Sequence, residues 1–229
     1  MSYSIHGLGQ FYLGSQAGYA NNHLNTNNAL AKNNDGSGYV VSGNCYYFFK
    51  KAFIETDIML ISKNYTFQKP GNYNAIYQQY KNNYVQLPLV FGFHAFKKHQ
   101  FSVVVEGGFF IAYWLQARIK GVLPNVYNSI DSMSSNGRIM QYAYLTQYSI
   151  KYTFTNSDNR WELGWIGGVG IQYAIKPNTI LLLNGKYFYS LTNKQKNDHN
   201  NQIQGYNETG LISVGVLLKF CKNKKTDKN

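Results

Sequence analysis

Apolar and polar residues alternate with a period of two along much of this chain. Between residues 84 and 96 one face of the alternation is apolar and carries Val85, Leu87, Leu89, Phe91, Phe93 and Ala95. The other face carries Tyr84, Gln86, Pro88, Val90, Gly92 and His94. Such a period over a segment of this length predicts a β-strand with one apolar face.

The same pattern predicts eight strands, at residues 11–21, 39–49, 53–65, 83–96, 101–118, 161–174, 179–192 and 209–220. Three connections between them are very short and contain lysine: Lys50-Lys51-Ala52, Lys97-Lys98-His99 and Ile175-Lys176-Pro177-Asn178. The others are long and mostly polar, at 22–37, 66–81, 119–160 and 193–207. Short and long connections therefore alternate along the chain.

This alternation is typical of membrane barrels. We predict an all-β fold, an eight-stranded antiparallel up-and-down transmembrane β-barrel with short periplasmic turns and long extracellular loops. One domain would occupy residues 1–220, and residues 221–229 would form a basic periplasmic tail. The segment 140–154 also has a strand pattern, and we expect it to form a hairpin arm within the longest loop. The alternative is a barrel with ten strands.

The two faces of the fifth and sixth strands favour a membrane barrel over a soluble one. One face is apolar, as at Phe109, Ile111 and Val169, and the other combines glycines with a few charges, as at Glu106 and Gly108. A narrow membrane-barrel lumen needs small residues and paired charges, whereas glycines would be an unusual exterior for a soluble barrel. A soluble barrel with its apolar face inside is the alternative.

The net charge of +12 is distributed in a way that argues against nucleic-acid binding. Several lysines lie in the short connections, namely Lys50, Lys51, Lys97, Lys98 and Lys176, and more follow in the tail. In a barrel these turns share one rim. A basic inner rim would meet anionic lipid headgroups or an acidic protein partner, and a purely solvated rim is the alternative.

The hydropathy of the chain and the sequence after Met1 are compatible with a barrel in an outer membrane. The mean hydropathy is −0.36, and no run of about 18 apolar residues, the length of a membrane helix, is present. No secretory signal peptide is recognisable at Met1, so we expect that one has been removed from the protein. The predicted location is the bacterial outer membrane.

Continuing the alternation inward assigns a set of charged residues to the lumen. They are Glu55, Asp57, Glu106, Arg118, Glu162 and Lys186, with Lys63 and Lys219 in addition. Because unpaired buried charges are costly, we expect ion pairs across the lumen, with Glu106 and Lys186 as the central pair. Coupled carboxylates are also found in acid–base catalysis. An eight-stranded barrel is just wide enough for side chains to fill, which favours a structural plug.

No pattern in the chain indicates a metal site, a cofactor or an enzyme. The histidines lack metal-ligand spacing, and His94 falls at the turn side of its strand. His23 and Ser190 could meet only through loop folding, so no nucleophile–base pair is predicted. Cys45 and Cys221 are too few for a disulfide framework, and we interpret both as incidental.

Four stretches resemble the outer-membrane β-barrel family of Bacteroidota typified by PorT: 84–89 (YVQLPL), 105–115 (VEGGFFIAYWL), 161–173 (WELGWIGGVGIQY) and 183–193 (LNGKYFYSLTN). Gln86 stands where that family usually has Glu. The resemblance implies an outer-membrane barrel and, since PorT is tied to type IX secretion and gliding, an anchor or accessory subunit of an envelope complex. The alternatives are a surface adhesin or ligand-binding barrel that uses its loops, and a lipid-modifying enzyme.

Overall fold

The computed structural model of the chain describes residues 10–26, 31–70, 75–133, 139–196 and 204–220. These residues form the strands β1 (Gln10–Thr26), β2 (Lys32–Phe48), β3 (Ala52–Ser62), β4 (Tyr65–Gln68), β5 (Tyr77–Lys98), β6 (Phe101–Met133), β7 (Ile139–Lys151), β8 (Trp161–Lys176), β9 (Thr179–Ser190) and β10 (Gly205–Lys219). No helix in this described part is long and apolar enough to cross a membrane. The predicted tail at 221–229 lies outside the described residues.

Eight of these strands close into a ring in the order β1-β2-β3-β5-β6-β8-β9-β10, and β10 pairs back onto β1. The pairings around the ring are antiparallel. The prediction of an eight-stranded up-and-down barrel is therefore confirmed. In a closed ring every strand has a partner on both sides, which is the condition that lipid imposes on β-structure.

β4 and β7 lie beyond one end of the ring. β4 bridges the ends of β2 and β5. Among the described residues β7 pairs with β6 alone, with Val122 opposite Gln147. The segment 140–154 thus contains one arm of the β6–β7 hairpin, as predicted, and the ten-stranded alternative is wrong.

The two ends of the barrel differ in their connections. The end we call the turn end carries the three short connections, the first residue of β1 and the last residue of β10. The opposite end, called the loop end, carries β4, the β6–β7 hairpin and the long connections.

The strands continue further at the loop end than the sequence predicts. β1 reaches Thr26, β5 begins at Tyr77, and β6 continues to Met133. The predicted loops 22–37, 66–81 and 119–160 are therefore partly strand. Polar and apolar residues share the same face in these extensions, as Asn22 and Leu24 do on the buried face of β1. The alternation of the sequence therefore disappears although the backbone pairing continues.

One extra residue in β6 changes which side chains enter the lumen. The register shifts at Leu115, a β-bulge residue between the paired residues Trp114 and Gln116. An inserted residue exchanges the two faces of the strand beyond it. Ala117 is consequently buried and Arg118 is exposed. The prediction of Arg118 in the lumen is wrong, because a simple alternation does not include the bulge.

Glycines allow neighbouring strands to approach closely around the lumen. Gly108 faces inward on β6, where an added Cβ would overlap the carbonyl oxygen of Leu89 on β5. Its neighbour Gly107 faces outward, and an added Cβ there would lie 3.7 Å from the carbonyl oxygen of Ile166. The close approach of backbone to backbone therefore requires glycine at position 108 and not at position 107.

We predict that Gly108→Ala lowers the free energy of unfolding by about 1–3 kcal/mol, because the methyl group must displace the β5 backbone. Gly107→Ala is the matched control and should stay within about 0.5 kcal/mol of the wild type. The measurement is the urea unfolding midpoint of the protein in lipid vesicles. Equal effects of the two substitutions would contradict the packing described here.

Candidate functional site

The lumen is closed near the turn end by an apolar cluster, which we call the inner plug. It consists of Tyr12, Tyr46, Phe48, Phe53, Val104, Ile180, Leu182 and Leu217. The rings of Tyr46 and Phe48 stack with centroids 5.7 Å apart, and Phe53 lies 5.5 Å from Phe48. The members of the cluster come from β1, β2, β3, β6, β9 and β10. Facing strands of an eight-stranded barrel are close enough for their side chains to touch.

Above the inner plug, toward the loop end, four predicted lumen residues come together as the lower charge cluster, Glu55, Asp57, Glu106 and Lys186. The Lys186 Nζ lies 2.6 Å from Glu55 Oε1 and 3.3 Å from Glu106 Oε1. All four residues are buried. The structure therefore places Glu106 beside Lys186, as expected, and adds Glu55 as the nearer partner of the lysine.

An amide network continues this layer across β1, β9 and β10. Gln16 Oε1 accepts hydrogen bonds from Asn184 Nδ2 at 3.1 Å and from Ser213 Oγ at 2.9 Å. All three residues are buried. Buried polar groups with such partners fix the relative positions of the strands that carry them.

A second ion pair lies nearer the loop end, above an apolar layer that includes Phe110 and Phe188. Lys63 Nζ is 2.5 Å from Glu162 Oε1, and Asn207 Nδ2 donates a 2.8 Å hydrogen bond to Glu162 Oε2. The Lys63 ammonium also lies 4.9 Å from the centroid of the Phe110 ring. We call Lys63, Glu162 and Asn207 the upper charge cluster. Removing a charged group from water is costly unless it has an opposite charge or a hydrogen-bond partner. The buried charges of this cluster have both.

Two segments fold over the loop end and form what we call the outer cap, residues 152–160 and 191–196. The backbone N–H of Asn159 donates to the carbonyl of Lys194 at 2.8 Å, and that of Lys196 donates to the carbonyl of Ser157 at 2.9 Å. Asp158 accepts a hydrogen bond from the Tyr152 hydroxyl at 2.9 Å. These bonds join the two segments into one layer above the ring.

Lys194 anchors the outer cap in a set of aromatic rings. Its ammonium lies 4.2 Å from the centroid of the Trp114 ring and 4.5 Å from that of Tyr65, and it donates a 3.1 Å hydrogen bond to the Tyr65 hydroxyl. The pKa of Lys194 is lowered from its ordinary value of 10.5 to about 7, mainly because the side chain is removed from water. Nearby Glu162 and Asp158 raise this pKa, and Lys63 lowers it.

The remaining predicted residues lie outside the charged lumen. Lys50, Lys51, Lys97, Lys98 and Lys176 are exposed at the turn end, as the basic inner rim requires. Lys219 is half-buried at the same end. Sequence reasoning missed Lys194 and Arg160, whose guanidinium donates to the carbonyl of Trp114 at 3.0 Å. Both lie in polar segments without a period, so no sequence signal marks them.

His23 and Ser190 lie on opposite sides of the barrel wall and do not form a nucleophile–base pair. His23 lies on the outside of the wall, 2.7 Å from Asp35, whereas Ser190 is buried inside. His94 stacks on Phe48 at the turn end. No group of three or more His, Cys, Asp or Glu side chains in the described part of the chain is arranged to hold a metal ion.

We predict that Lys186→Met lowers the free energy of unfolding by about 3–5 kcal/mol, because two buried carboxylates lose their counter-ion. The triple variant with Glu55→Gln and Glu106→Gln should recover much of that loss. Lys98→Met, which removes an exposed lysine, is the control. Unfolding midpoints in lipid vesicles provide the measurement, and a tolerated Lys186→Met would contradict the pairing.

We predict that the outer cap closes more tightly as the pH rises from 7 toward 10. When the cap is open, Lys194 regains its ordinary pKa of 10.5, so closing it in this range releases a proton. Below pH 7 the lysine is charged in both states and the cost of burying that charge is fully present. The measurement is the amide-exchange protection of residues 191–196 relative to the intrinsic rate at each pH.

Lys194→Met should abolish this pH dependence and protect the cap at every pH. Lys196→Met, two residues away and exposed, should leave the dependence unchanged. A Lys194→Met protein that still responds to pH would refute the assignment.

The outer wall of the ring is apolar, in contrast to its lumen. Exposed side chains at mid-height include Ile58, Val169 and Val214. Aromatic side chains border this wall at the turn end (Phe11, Tyr47, Phe49, Phe96, Phe101 and Tyr173) and at the loop end (Tyr19, Tyr39, Trp161 and Tyr189). An encircling apolar wall with aromatic borders indicates surrounding lipid, and soluble monomers do not expose such a surface.

Three solved structures have a similar architecture at low identity. Neisserial surface protein A is 13% identical over 93% of this chain and 100% of its own, with a TM-score of 0.43. OprG from Pseudomonas aeruginosa is 11% identical over 95% and 99%, with a TM-score of 0.47. Ail, the attachment invasion locus protein of Yersinia pestis, is 12% identical over 92% and 99%, with a TM-score of 0.39.

No curated protein matches the chain. The family model described as outer membrane protein beta-barrel domain matches residues 8–195, which is most of the chain. The match agrees with the closed ring, the apolar wall and the polar lumen described above. The chain therefore belongs to the family of outer membrane protein beta-barrel domains, and it is located in the bacterial outer membrane.

Proposed function

We propose that this protein is a closed, non-enzymatic outer-membrane barrel that serves as an anchor or accessory subunit of an envelope complex. The observation that carries the proposal is the filled lumen. The inner plug, the two charge clusters and the outer cap follow one another from the turn end to the loop end. Such a barrel can bind other molecules at its surfaces, but it has no open path through the lumen for a solute.

A channel role is disfavoured by the packing at several heights of the lumen. The Phe110 and Phe188 rings meet edge to face, with centroids 5.5 Å apart. The Trp114 ring lies parallel to that of Tyr84 at 5.9 Å just below the outer cap. A continuous water path would have to displace both pairs, together with the charge clusters that lie beside them.

The location of the polar groups also supports a role without catalysis. The carboxylates that could act as acids or bases lie in the lumen between apolar layers, with Glu106 and Glu162 both buried. A substrate would have to enter a space that side chains already fill. The paired charges are then best explained as packing elements.

Two surfaces remain available for partners, one on each side of the membrane. The basic inner rim faces the periplasm in barrels with this arrangement of turns and loops. The β6–β7 hairpin extends beyond the loop end. An envelope subunit with these two surfaces agrees with the PorT-like resemblance of the strands, which implies a secretion-related complex.

A second candidate function, a surface adhesin or ligand-binding barrel, is favoured by the outer edge of the hairpin. Among the described residues β7 pairs with β6 alone, so its other edge presents unpaired backbone groups. Exposed apolar side chains lie along it at Tyr144, Leu145 and Ile150. An edge of this kind can accept an extended segment of another protein as an added strand.

The experiment compares the wild type with a variant in which Asn-Gly replaces residues 123–146. Val122 and Gln147 are register partners, so a two-residue turn can join them. We expect both proteins to keep heat-modifiable mobility on gels, to give no steady conductance in planar bilayers and, after crosslinking in the native envelope, to yield the same envelope protein.

The alternative outcomes separate the candidates. Steady conductance of the wild type would overturn the closed barrel. Absence of any crosslinked envelope protein, together with binding to external surfaces that is lost in the shortened variant, would replace the first proposal by the second.

A further inference from the structure

The turn end of the barrel contains a cavity of about 580 Å³, which we call the mouth pocket. Its walls come from β1, β2, β5, β6, β8, β9 and β10 and from the three short turns. The basic residues among them are Lys50, His94, Lys97, His99, Lys176 and Lys219. Cavities of about 300–1,000 Å³ are the usual size of ligand sites.

The mouth pocket is blind. Tyr12, Phe48 and Ile180 belong both to its lining and to the inner plug. A molecule that enters from the turn end therefore meets an apolar floor and cannot continue into the charge clusters above. Polar side chains on the wall, such as Gln100 and Gln172, can hydrogen-bond to a ligand that lies between that floor and the opening of the pocket.

The charge of the mouth pocket selects anions. None of its described lining residues is acidic. Lysines from three separate turns and one strand end converge on a space with low-dielectric walls, which strengthens their combined positive potential. Lys51 and Lys98 are adjacent in sequence to Lys50 and Lys97 but do not line the pocket.

We propose that the mouth pocket binds an acidic peptide segment of a periplasmic partner protein. This inference deepens the proposed accessory role and rests on it. Carboxylate side chains would pair with Lys50, Lys97 and Lys176, and the polar wall residues would hydrogen-bond to the peptide backbone.

The position of the pocket favours a peptide over a lipid headgroup. The lining lies inside the ring of turns, whereas lipid contacts the outer wall, where Phe11, Phe101 and Tyr173 are exposed. The chain's own terminal residues, CKNKKTDKN, contain four lysines and one aspartate. Their charge makes them an unsuitable occupant of a basic site.

The test uses the full chain in lipid nanodiscs and a fluorescein-labelled hexaglutamate peptide as probe. The site variant is Lys50→Gln/Lys97→Gln, and the matched control is Lys51→Gln/Lys98→Gln. Both remove two positive charges from the same two turns, but only the first pair lines the pocket. Heat-modifiable mobility verifies that each variant folds.

We expect hexaglutamate to bind the wild type at physiological salt and a hexaglutamine peptide not to bind. The site variant should weaken binding about tenfold and the control less than about threefold, because Lys51 and Lys98 do not line the pocket and salt screens charges that do not contact the ligand. Equal losses in both variants would overturn the proposal in favour of a diffuse rim effect.

Two further arms separate the sources of negative charge. Competition by inorganic phosphate at millimolar concentration, with no preference for the peptide, would overturn the peptide assignment in favour of a small anion. A greater effect of the site variant on binding to anionic vesicles than on binding to peptide would indicate a headgroup site instead. If hexaglutamate fails to bind while the crosslinked envelope partner is still recovered, the pocket proposal fails and the accessory role stands.

Discussion

The narrow diameter of an eight-stranded ring is the constraint on which the rest of this structure depends. Inward side chains from facing strands must touch, so every inward position is either small or complementary to its neighbours. Gly108 illustrates the first solution at the level of neighbouring strands, since an added Cβ there would overlap the backbone carbonyl oxygen of Leu89 on β5. The Lys186 ammonium between Glu55 and Glu106 illustrates the second. The closed lumen, and therefore the proposed anchoring role, follows from that geometry.

Lipid changes which interactions can hold such a ring together. Outer-wall side chains such as Ile58 and Val214 contact lipid whether or not the ring is closed, so the hydrophobic effect contributes little free energy to closing it. The closure rests instead on backbone hydrogen bonds, which have no alternative partner in lipid, and on the side chains that fill the lumen. The charge clusters join distant strands, β3 with β9 in one case and the end of β3 with β8 in the other. They link opposite sides of the ring, which backbone pairing between neighbours does not.

The sequence predicts those features that repeat, and it does not predict single departures from the repeat. Alternation over 84–96 correctly separates the wall from the lumen. The same alternation in β6 and β9 assigns Glu106 and Lys186 to the lumen, where the structure pairs them. One bulge at Leu115 suffices to move Arg118 from the predicted lumen to the outside. The contacts of Lys194 depend on how two irregular segments fold over the ring, and such contacts between distant segments leave no periodic signal. The strand extensions at the loop end escape prediction for a related reason, because polar and apolar residues share a face there, as Asn22 and Leu24 share the buried face of β1.

The two ends of the barrel are closed in different ways, and the difference bears on where a partner can act. At the loop end the outer cap consists of loop segments joined by hydrogen bonds, with one lysine inserted among aromatic rings. At the turn end the strands stop at short turns, so the basic cavity on the turn-end side of the inner plug is left open to the periplasm. A periplasmic molecule that occupied this cavity would therefore have no passage to the outside. Packed aromatic and ionic layers separate the two ends. Binding at the turn end could therefore change the structure of the loop end only through the strands of the wall. In the proposed role, such a barrel would hold a partner at the membrane and would not transmit a molecule across it.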